Sequence, residues 1–307
     1  MQRISVLSPA TVANLVCGFD ILGLALEEPS DLMILTKTES PGLVIKNLDH
    51  YGLPTDPEKN VAGVSLLAMM AAMDNPPGFE LQIEKRIKPG SGAGSSAASA
   101  AGAVAAANLL MGNPFTPMEL VLFAMNGEKL ASGVKHADNI APCLMGGITL
   151  IRSIHPLDIV KITPPELHVT LVHPQIEVKT SDARQILKKQ ILLKDAIRQW
   201  GNIAGLVAGL TLGDHDLIGR SLEDVIIEPV RSILIPEFDL VKKRSKEAGA
   251  LGGGISGSGP SIFMLSKDKA IAESVGEAMK EIYTKAGIDH SVYVTTINHH
   301  GVKMIPS

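Results

Sequence analysis

Apolar and polar positions alternate in short runs over the first third of the chain. Ile4–Leu7, Asp31–Thr38, Leu43–Leu48 and Phe79–Ile87 are rich in Ile, Val and Leu with partial alternation, which predicts strands. Two segments break that period. Val61–Met73 reads as a helix, and so does Ser96–Met111, an alanine-dense run built from the best helix former. Thr116-Pro117-Met118-Glu119 carries a capping box with proline at the first helical position, opening a helix to about Ser132. Gly146–Arg152 reads as a strand closing this half, and a loop with Pro156, Pro164 and Pro165 separates it from the next. The second half begins with a strand at Leu167–Val172. Helices follow over about 181–190, 193–212 and 214–222, then Glu237–Ala248 with Gly249 as its cap. Ser261–Leu265 is a strand, Asp268–Ala286 a helix capped by Gly287, and Val292–Ile297 a final strand. Strands interleaved with helices on one face predict an α+β sandwich.

Composition narrows the picture. At 307 residues the chain has room for two domains or one large one, and 45% hydrophobic residues suffice for sizeable cores. Only 3% of residues are aromatic, so those cores are aliphatic and recognition of nucleic acid by base stacking is not expected. A net charge of -4 with no basic block argues the same way. Cys17 and Cys143 form no metal or redox motif and read as reduced thiols of a cytoplasmic protein. The start reads as a strand rather than a leader, and no apolar run reaches membrane-spanning length.

One stretch needs chemistry to explain it. Lys88-Pro89-Gly90-Ser91-Gly92-Ala93-Gly94-Ser95-Ser96-Ala97-Ala98 places three alternating glycines directly before the alanine helix. Each glycine inside a helix would cost about 1 kcal/mol, so they read as a loop whose bare backbone approaches something closely. A glycine loop feeding a helix N-terminus offers free N–H groups and the positive end of the helix dipole, an anion site. A hydroxyl of Ser95 or Ser96 could ligate the Mg²⁺ of a nucleotide. The P-loop pattern fails because no lysine follows Gly94, and no G-x-G-x-x-G is in register with the preceding strand.

Three other stretches stand out. Residues 251–261 hold a literal G-x-G-x-x-G at 252–257, but it follows a helix and precedes a strand, the reverse of the dinucleotide-binding context. It reads as a backbone loop packed near the first. Between Pro9 and Leu26, polar Asn14 and Asp20 sit among apolar residues, either as turn formers or as site residues. Between Gly127 and Pro142, Glu128 falls on the capped helix, and His136, Asp138 and Asn139 fall in the polar loop after it. His136 and Asp138 are poorly spaced for zinc.

Pro9-Ala-Thr-Val-Ala-Asn14, Gly90–Ala98 and Gly252–Pro260 together resemble the three motifs of the GHMP kinases, in the right order and across nearly the whole chain. Asn14 through Gly18-Phe19-Asp20, His136-Ala-Asp-Asn-Ile-Ala-Pro142, Thr180–Arg184 and Glu228–Arg231 resemble the homoserine kinase branch. The resemblance implies a ribosomal-protein-S5-domain-2-like N-terminal domain (1–155) that binds ATP. It also implies a ferredoxin-like C-terminal domain (156–307) on the substrate side, with the active site between the two. It implies that Lys88–Ala98 wrap the ATP phosphates and that Ser96 and Glu128 hold Mg²⁺. Asp20 and His136 would bind the amino end of L-homoserine, and Arg184 and Arg231 its carboxylate. Asn14, Asn139 and Thr180 would lie by the attacking hydroxyl.

The charge logic agrees with these roles, because a zwitterion needs a carboxylate for its ammonium and a cation for its carboxylate, and arginine suits the latter. The implied reaction is ATP-dependent phosphorylation of homoserine in threonine biosynthesis, in the cytoplasm, without nucleic-acid or membrane partners; a homodimer is compatible with it. Another small-molecule GHMP kinase acting on mevalonate or a sugar, or an inactive ligand-binding relative, are the alternatives. Two departures from the family pattern stand in this chain: Ala93 replaces leucine in the phosphate loop, and Val16-Cys17 replaces Gly-Pro in the first motif.

Overall fold

The computed structural model describes residues 2–178 and 180–306, with the side chains of 180 and 181 excepted. Two long strands, β1 (Arg3–Ala13) and β2 (Leu22–Thr38), form an antiparallel hairpin that is the spine of the first sheet. A bulge at Pro9–Thr11 bends the pair, as a proline without an N–H requires in mid-strand. β3 (Leu43–Asn47) and α1 (Val61–Met70) precede β4 (Gly78–Glu84), which pairs with β2 on one side and β3 on the other. The remaining helices of this half are α2 (Ser95–Leu110), α3 (Pro117–Ser132) and α4 (Ile140–Met145).

β5 (Ile148–Ile154) pairs with β2 and turns back into β6 (Leu157–Ile162). The expected separation of halves at 155–156 falls in that hairpin turn. Pro156 lies in the turn, and β6, which starts at Leu157, stays in the first sheet. The second half runs β7 (His168–Pro174), α5 (Thr180–Gln185), α6 (Leu193–Leu212), α7 (His215–Ser221), α8 (Glu228–Arg231), α9 (Phe238–Glu247), β8 (Gly252–Ile255), β9 (Ile262–Ser266), α10 (Lys269–Lys285) and β10 (His290–Thr296). A last strand, β11 (Lys303–Ile305), crosses back to pair with β1.

The second sheet has the order β10-β7-β9-β8 with every neighbour antiparallel. Numbered within that half the order is 4-1-3-2, the ferredoxin-like arrangement. The architecture is α+β with two sheets, which matches what the resemblance implies. The second glycine cluster departs from its expectation as a loop throughout: its first half is β8. Glycine is needed there because a Cβ on Gly253 would lie 2.0 Å from the carbonyl oxygen of Phe263 on the neighbouring strand.

Three cores hold the layers. In the first, Val6, Met33, Leu35, Phe79 and Leu81 of the sheet meet Leu66 and Met69 of α1, Val104 of α2 and Val121 of α3. α2 is buried on nearly every side, all but Ser96 and Leu109, which only small side chains allow. A Cβ on its Gly102 would meet the Met33 sulfur at 2.5 Å, so the helix lies almost on the sheet. In the second core, Leu22 and Leu24 pack with Val169, Leu171, Phe263 and Leu265, joining the halves. The alternate residues Val172, Ile262 and Met264 face α9 and α10 in the third. The cleft between the halves is left for the loops.

Candidate active site

The glycine loop leaves β4 and ends at α2. Gly90, Gly92 and Gly94 have φ of 76°, 80° and 69°, the left-handed region that other residues enter only with strain. Gly94 is the N-cap of α2 and no side chain caps that end, so the first turn keeps N–H groups for a ligand. Glycine is also forced there by space, since a Cβ would sit 1.9 Å from Thr11 Oγ1.

The loop is braced from two sides. From the second half, Ser256 Oγ donates to the Gly92 carbonyl at 2.7 Å, and Ser261 Oγ donates to the Ser91 carbonyl at 2.7 Å. The residues after β8 therefore do pack on the first loop, as the sequence suggests. From below, Asp31 and Lys85 form an ion pair with side chains 0% and 1% exposed. Lys85 Nζ also donates to the Ser95 carbonyl at 2.8 Å and to Ser99 Oγ at 3.0 Å. Asp31 Oδ1 accepts from the N–H groups of Arg86 and Ile87 at 2.8 and 2.9 Å. One buried pair thus fixes both the departure of the chain from β4 and the first turn of α2.

Sequence reasoning missed this pair. The signal was there: Lys85 falls between Ile83 and Ile87 on the apolar face of the alternation, where a lysine must find a partner.

The candidate metal ligands come together. Ser96 Oγ donates to Glu128 Oε2 at 3.0 Å across the mouth of the loop, while the Ser95 hydroxyl is committed to the Ile87 carbonyl at 2.8 Å. Burial lifts the Glu128 carboxyl above its ordinary range, and the Ser96 hydroxyl opposes that shift. A buried carboxylate whose nearest partner is a hydroxyl suits Mg²⁺, which takes one or two carboxylates and completes its shell with water and phosphate. A closed metal centre is a different matter: among the described residues no three His, Cys, Asp or Glu side chains gather as one.

The remaining residues meet in the same cavity, of about 360 Å³, which Gly90, Gly92, Gly94, Ser96 and Glu128 also line. Asn14 and Asp20 sit at φ of 75° and 61° at either end of a tight turn. Asn14 holds that turn together, its Oδ1 accepting from the Asp20 N–H at 3.0 Å and its Nδ2 donating to the Gly257 carbonyl at 2.8 Å. The turn-forming reading of Asn14 holds, and the residue also lines the cavity. Arg184 donates from Nη1 and Nη2 to the two carboxylate oxygens of Asp20 at 3.2 and 2.9 Å.

Arg184 Nη2 also meets His136 Nε2 at 3.0 Å. Arginine can only donate, so that ring nitrogen is the acceptor. Burial, more than the opposing charge of Asp20, lowers the His136 pKa, with both arginines adding to the drop, so the ring is neutral. Arg231, 4% exposed, donates from Nε to the Ala183 carbonyl and from Nη1 to the Gly257 carbonyl at 2.9 and 3.2 Å. Asn139 accepts from Thr11 Oγ1 at 2.7 Å. Asp138 lines the same cavity and is 5% exposed. Its carboxyl is pushed up to about 7 by burial first, then by the charges of Asp20 and Glu128.

Other expected residues sit differently. The side chains of Ser91, Ala93, Ala97 and Ala98 are buried in the protein at 3% exposure or less, so they can offer only backbone to a ligand. Lys88 reaches Gln175. The side chain of Thr180 lies outside the described residues, although its backbone begins α5. Ala93 packs in the second core, where a leucine would need more room, and Val16-Cys17 are buried in the turn, with Val16 at φ 66°.

The chain is similar to known proteins along nearly its whole length. The family model described as GHMP kinases N terminal domain matches residues 60–147, and that described as GHMP kinases C terminal matches 204–285. A homoserine kinase of Chloroherpeton thalassium is 47% identical, covering 99% of this chain and 100% of its own. One from Xylella fastidiosa is 36% identical, over 97% and 92%. A crystal structure of homoserine kinase from Cytophaga hutchinsonii superposes with a TM-score of 0.96 at 49% identity, covering 99% and 98% of the two chains. The mevalonate kinase of L. major, at 17% identity over 95% and 94% with a TM-score of 0.70, shares the fold. Full-length likeness at these identities, on a chain whose glycine loop and charged pocket open into one cleft, places it in the homoserine kinase family of the GHMP kinases.

Proposed function

We propose that this protein transfers the γ-phosphoryl group of ATP to the side-chain hydroxyl of L-homoserine, giving O-phospho-L-homoserine for threonine biosynthesis. The observation that carries this reading is the meeting of two unlike sites in one cavity: a glycine loop at a helix N-terminus, and a carboxylate with two arginines. Phosphoryl transfer needs positioning and charge neutralisation more than covalent help. In this reading the N–H groups of the loop and of α2 hold the phosphates, with Lys88 through Ala98 as the wrapping segment.

Asp20 takes the substrate ammonium, with neutral His136 beside it. The ammonium displaces Arg184 from Asp20, and Arg184 and Arg231 then pair with the carboxylate. Asn14, Asn139 and Thr180 stand by the hydroxyl. Ser96 and Glu128 would hold a bound Mg²⁺, which would supply charge neutralisation for the transferred phosphate. The reading also includes the division near residue 155 into a nucleotide side and a substrate side, and work in the cytoplasm on a free amino acid. A homodimer fits it equally. Among the described residues no helix is long and apolar enough to cross a membrane.

Release of ADP should be seen with homoserine and not with mevalonate or galactose. Turnover with one of the latter two alone, or with none of the three, overturns the assignment. Glu128→Gln should raise the Mg²⁺ concentration needed for half-maximal rate, and an unchanged metal dependence would remove Glu128 from the metal site.

Asp138 lines the cavity, but in this reading no general base is assigned and the hydroxyl proton passes to the transferred phosphoryl group. Asp138→Asn should keep turnover within about tenfold of the parent, whereas a base worth thousands-fold would be exposed by its loss. The same variant has a second readout. A carboxyl raised from 3.8 to about 7 in the folded state favours folding most below pH 3.8, and that contribution is lost as pH rises through 7. The stability of Asp138→Asn should therefore fall less than the parent's between pH 4 and pH 7 in urea titrations.

A further inference from the structure

The two arginines of the pocket converge on one aromatic ring. The guanidinium carbon of Arg231 lies 4.9 Å from the centre of the Phe19 ring, and that of Arg184 lies 5.4 Å from it. Both distances are within cation–π range. Phe19 is half-buried and lines the same cavity as the arginines and Asp20. It stands in the tight turn next to Asp20, so its ring is set by the backbone that also aims that carboxylate.

Two like charges held this close oppose each other. The Arg184 charge, after burial, is the largest influence drawing the Arg231 pKa down to about 10. Something must steady them, and the chemistry of the steadying group matters. An acidic side chain would attract both guanidinium groups but would also occupy their N–H donors and cancel the charge a substrate carboxylate needs. Asp20 does this to Arg184 in the free protein. The face of a phenyl ring attracts a cation through its quadrupole and accepts no conventional hydrogen bond. It therefore holds the cations without itself occupying any of their N–H donors. Arg184 Nε is such a donor, buried and without a hydrogen-bond partner among the described residues.

We propose that Phe19 is a positioning residue for recognition of the substrate carboxylate: its ring gathers Arg184 and Arg231 on one side of the pocket without itself taking up their N–H donors. The proposal rests on the reading that these arginines receive the carboxylate of an amino acid. Phe19 acts through them and takes no part in the transfer itself. Removing the ring lets the two cations separate, so the carboxylate meets one of them instead of a prepared pair.

The test compares Phe19→Leu, Phe19→Tyr and Arg231→Leu in steady-state assays with homoserine and with 3-aminopropan-1-ol, which has the same ammonium and hydroxyl but no carboxylate. Thermal unfolding is followed in parallel. Phe19→Leu should raise the KM for homoserine about tenfold while leaving the KM for ATP within about twofold. It should leave the constant for 3-aminopropan-1-ol, measured as KM or as a competitive Ki, within the same twofold. Phe19→Tyr, which keeps the aromatic face, should recover most of the loss. A Leu variant with unchanged KM for homoserine, a Tyr variant as impaired as Leu, or an equal penalty for the analogue without a carboxylate would each overturn the proposal. Arg231→Leu separates this from the underlying reading. If it too fails to discriminate homoserine from the analogue, the carboxylate site is misplaced. If it discriminates and Phe19→Leu does not, only the role of Phe19 falls.

Discussion

Lys85→Met should cost the protein about 3–5 kcal/mol of stability, the usual penalty for stranding one charge of a buried pair. Lys85 and Asp31 are closed off from solvent, and removal of the ammonium leaves the Asp31 carboxylate without its counter-charge. Two backbone N–H groups would still reach Asp31, which softens the loss without cancelling it. The Ser95 carbonyl and Ser99 hydroxyl lose a donor as well. Because a domain of ordinary size is stable by only about 5–15 kcal/mol, part of the population should be unfolded or aggregated at physiological temperature. Urea unfolding at neutral pH measures this directly, and a loss under about 1 kcal/mol would mean that the pair is more hydrated than its burial implies.

Gly92→Ala should have the largest effect on nucleotide handling. Its Cβ would stand 2.6 Å from the carbonyl oxygen of Gly259 and 2.7 Å from that of Ser256, both backbone atoms that cannot swing aside. The residue is also at φ 80°. The two glycine loops would part, taking with them the hydrogen bond from Ser256 to the Gly92 carbonyl. A misplacement of this kind costs on the order of a hundredfold, so kcat/KM for ATP should drop by that factor. Gly90→Ala is the control. It carries a similar φ of 76°, but its Cβ would meet nothing within 4 Å, so only backbone strain of about 1 kcal/mol is added. Equal losses in the two variants would mean that contact between the loops does not set the phosphate geometry.

What the sequence disclosed follows the range of the interactions concerned. α3 was legible at its start because its signal is local: the Thr116–Glu119 box and Pro117 all act within one turn. α6 was legible at both ends, with a glycine closing it at 213. Elements held by distant partners were not. β6 has an alternating Leu157–Ile162 run, but three prolines around it suggested a separator, and only its pairing with β5 makes it a strand. β11 is three residues long and exists because β1 offers it an edge. α4, six residues with Pro142 in its first turn and no side-chain cap, carries no local signal of this kind.

In the site, the glycine loop and the polar residues could be named from their type and order. Their mutual wiring could not. That Asp20 is held by Arg184, that Ser95 serves the fold while Ser96 faces Glu128, and that Lys85 anchors the loop all depend on contacts between residues far apart in the chain.

The return of the chain at residues 303–305 has a bearing on synthesis in the cell. The β1 edge of the first layer stays open until residues 303–305 have emerged from the ribosome, and in chain order these follow every described helix. A nascent chain halted before that point carries β1 with one flank bare, a template for pairing with another polypeptide. Chaperone engagement should therefore outlast the emergence of the nucleotide-side helices and ease only once residues 303–305 are free to pair with β1, which pulldown of stalled chains of graded length would show.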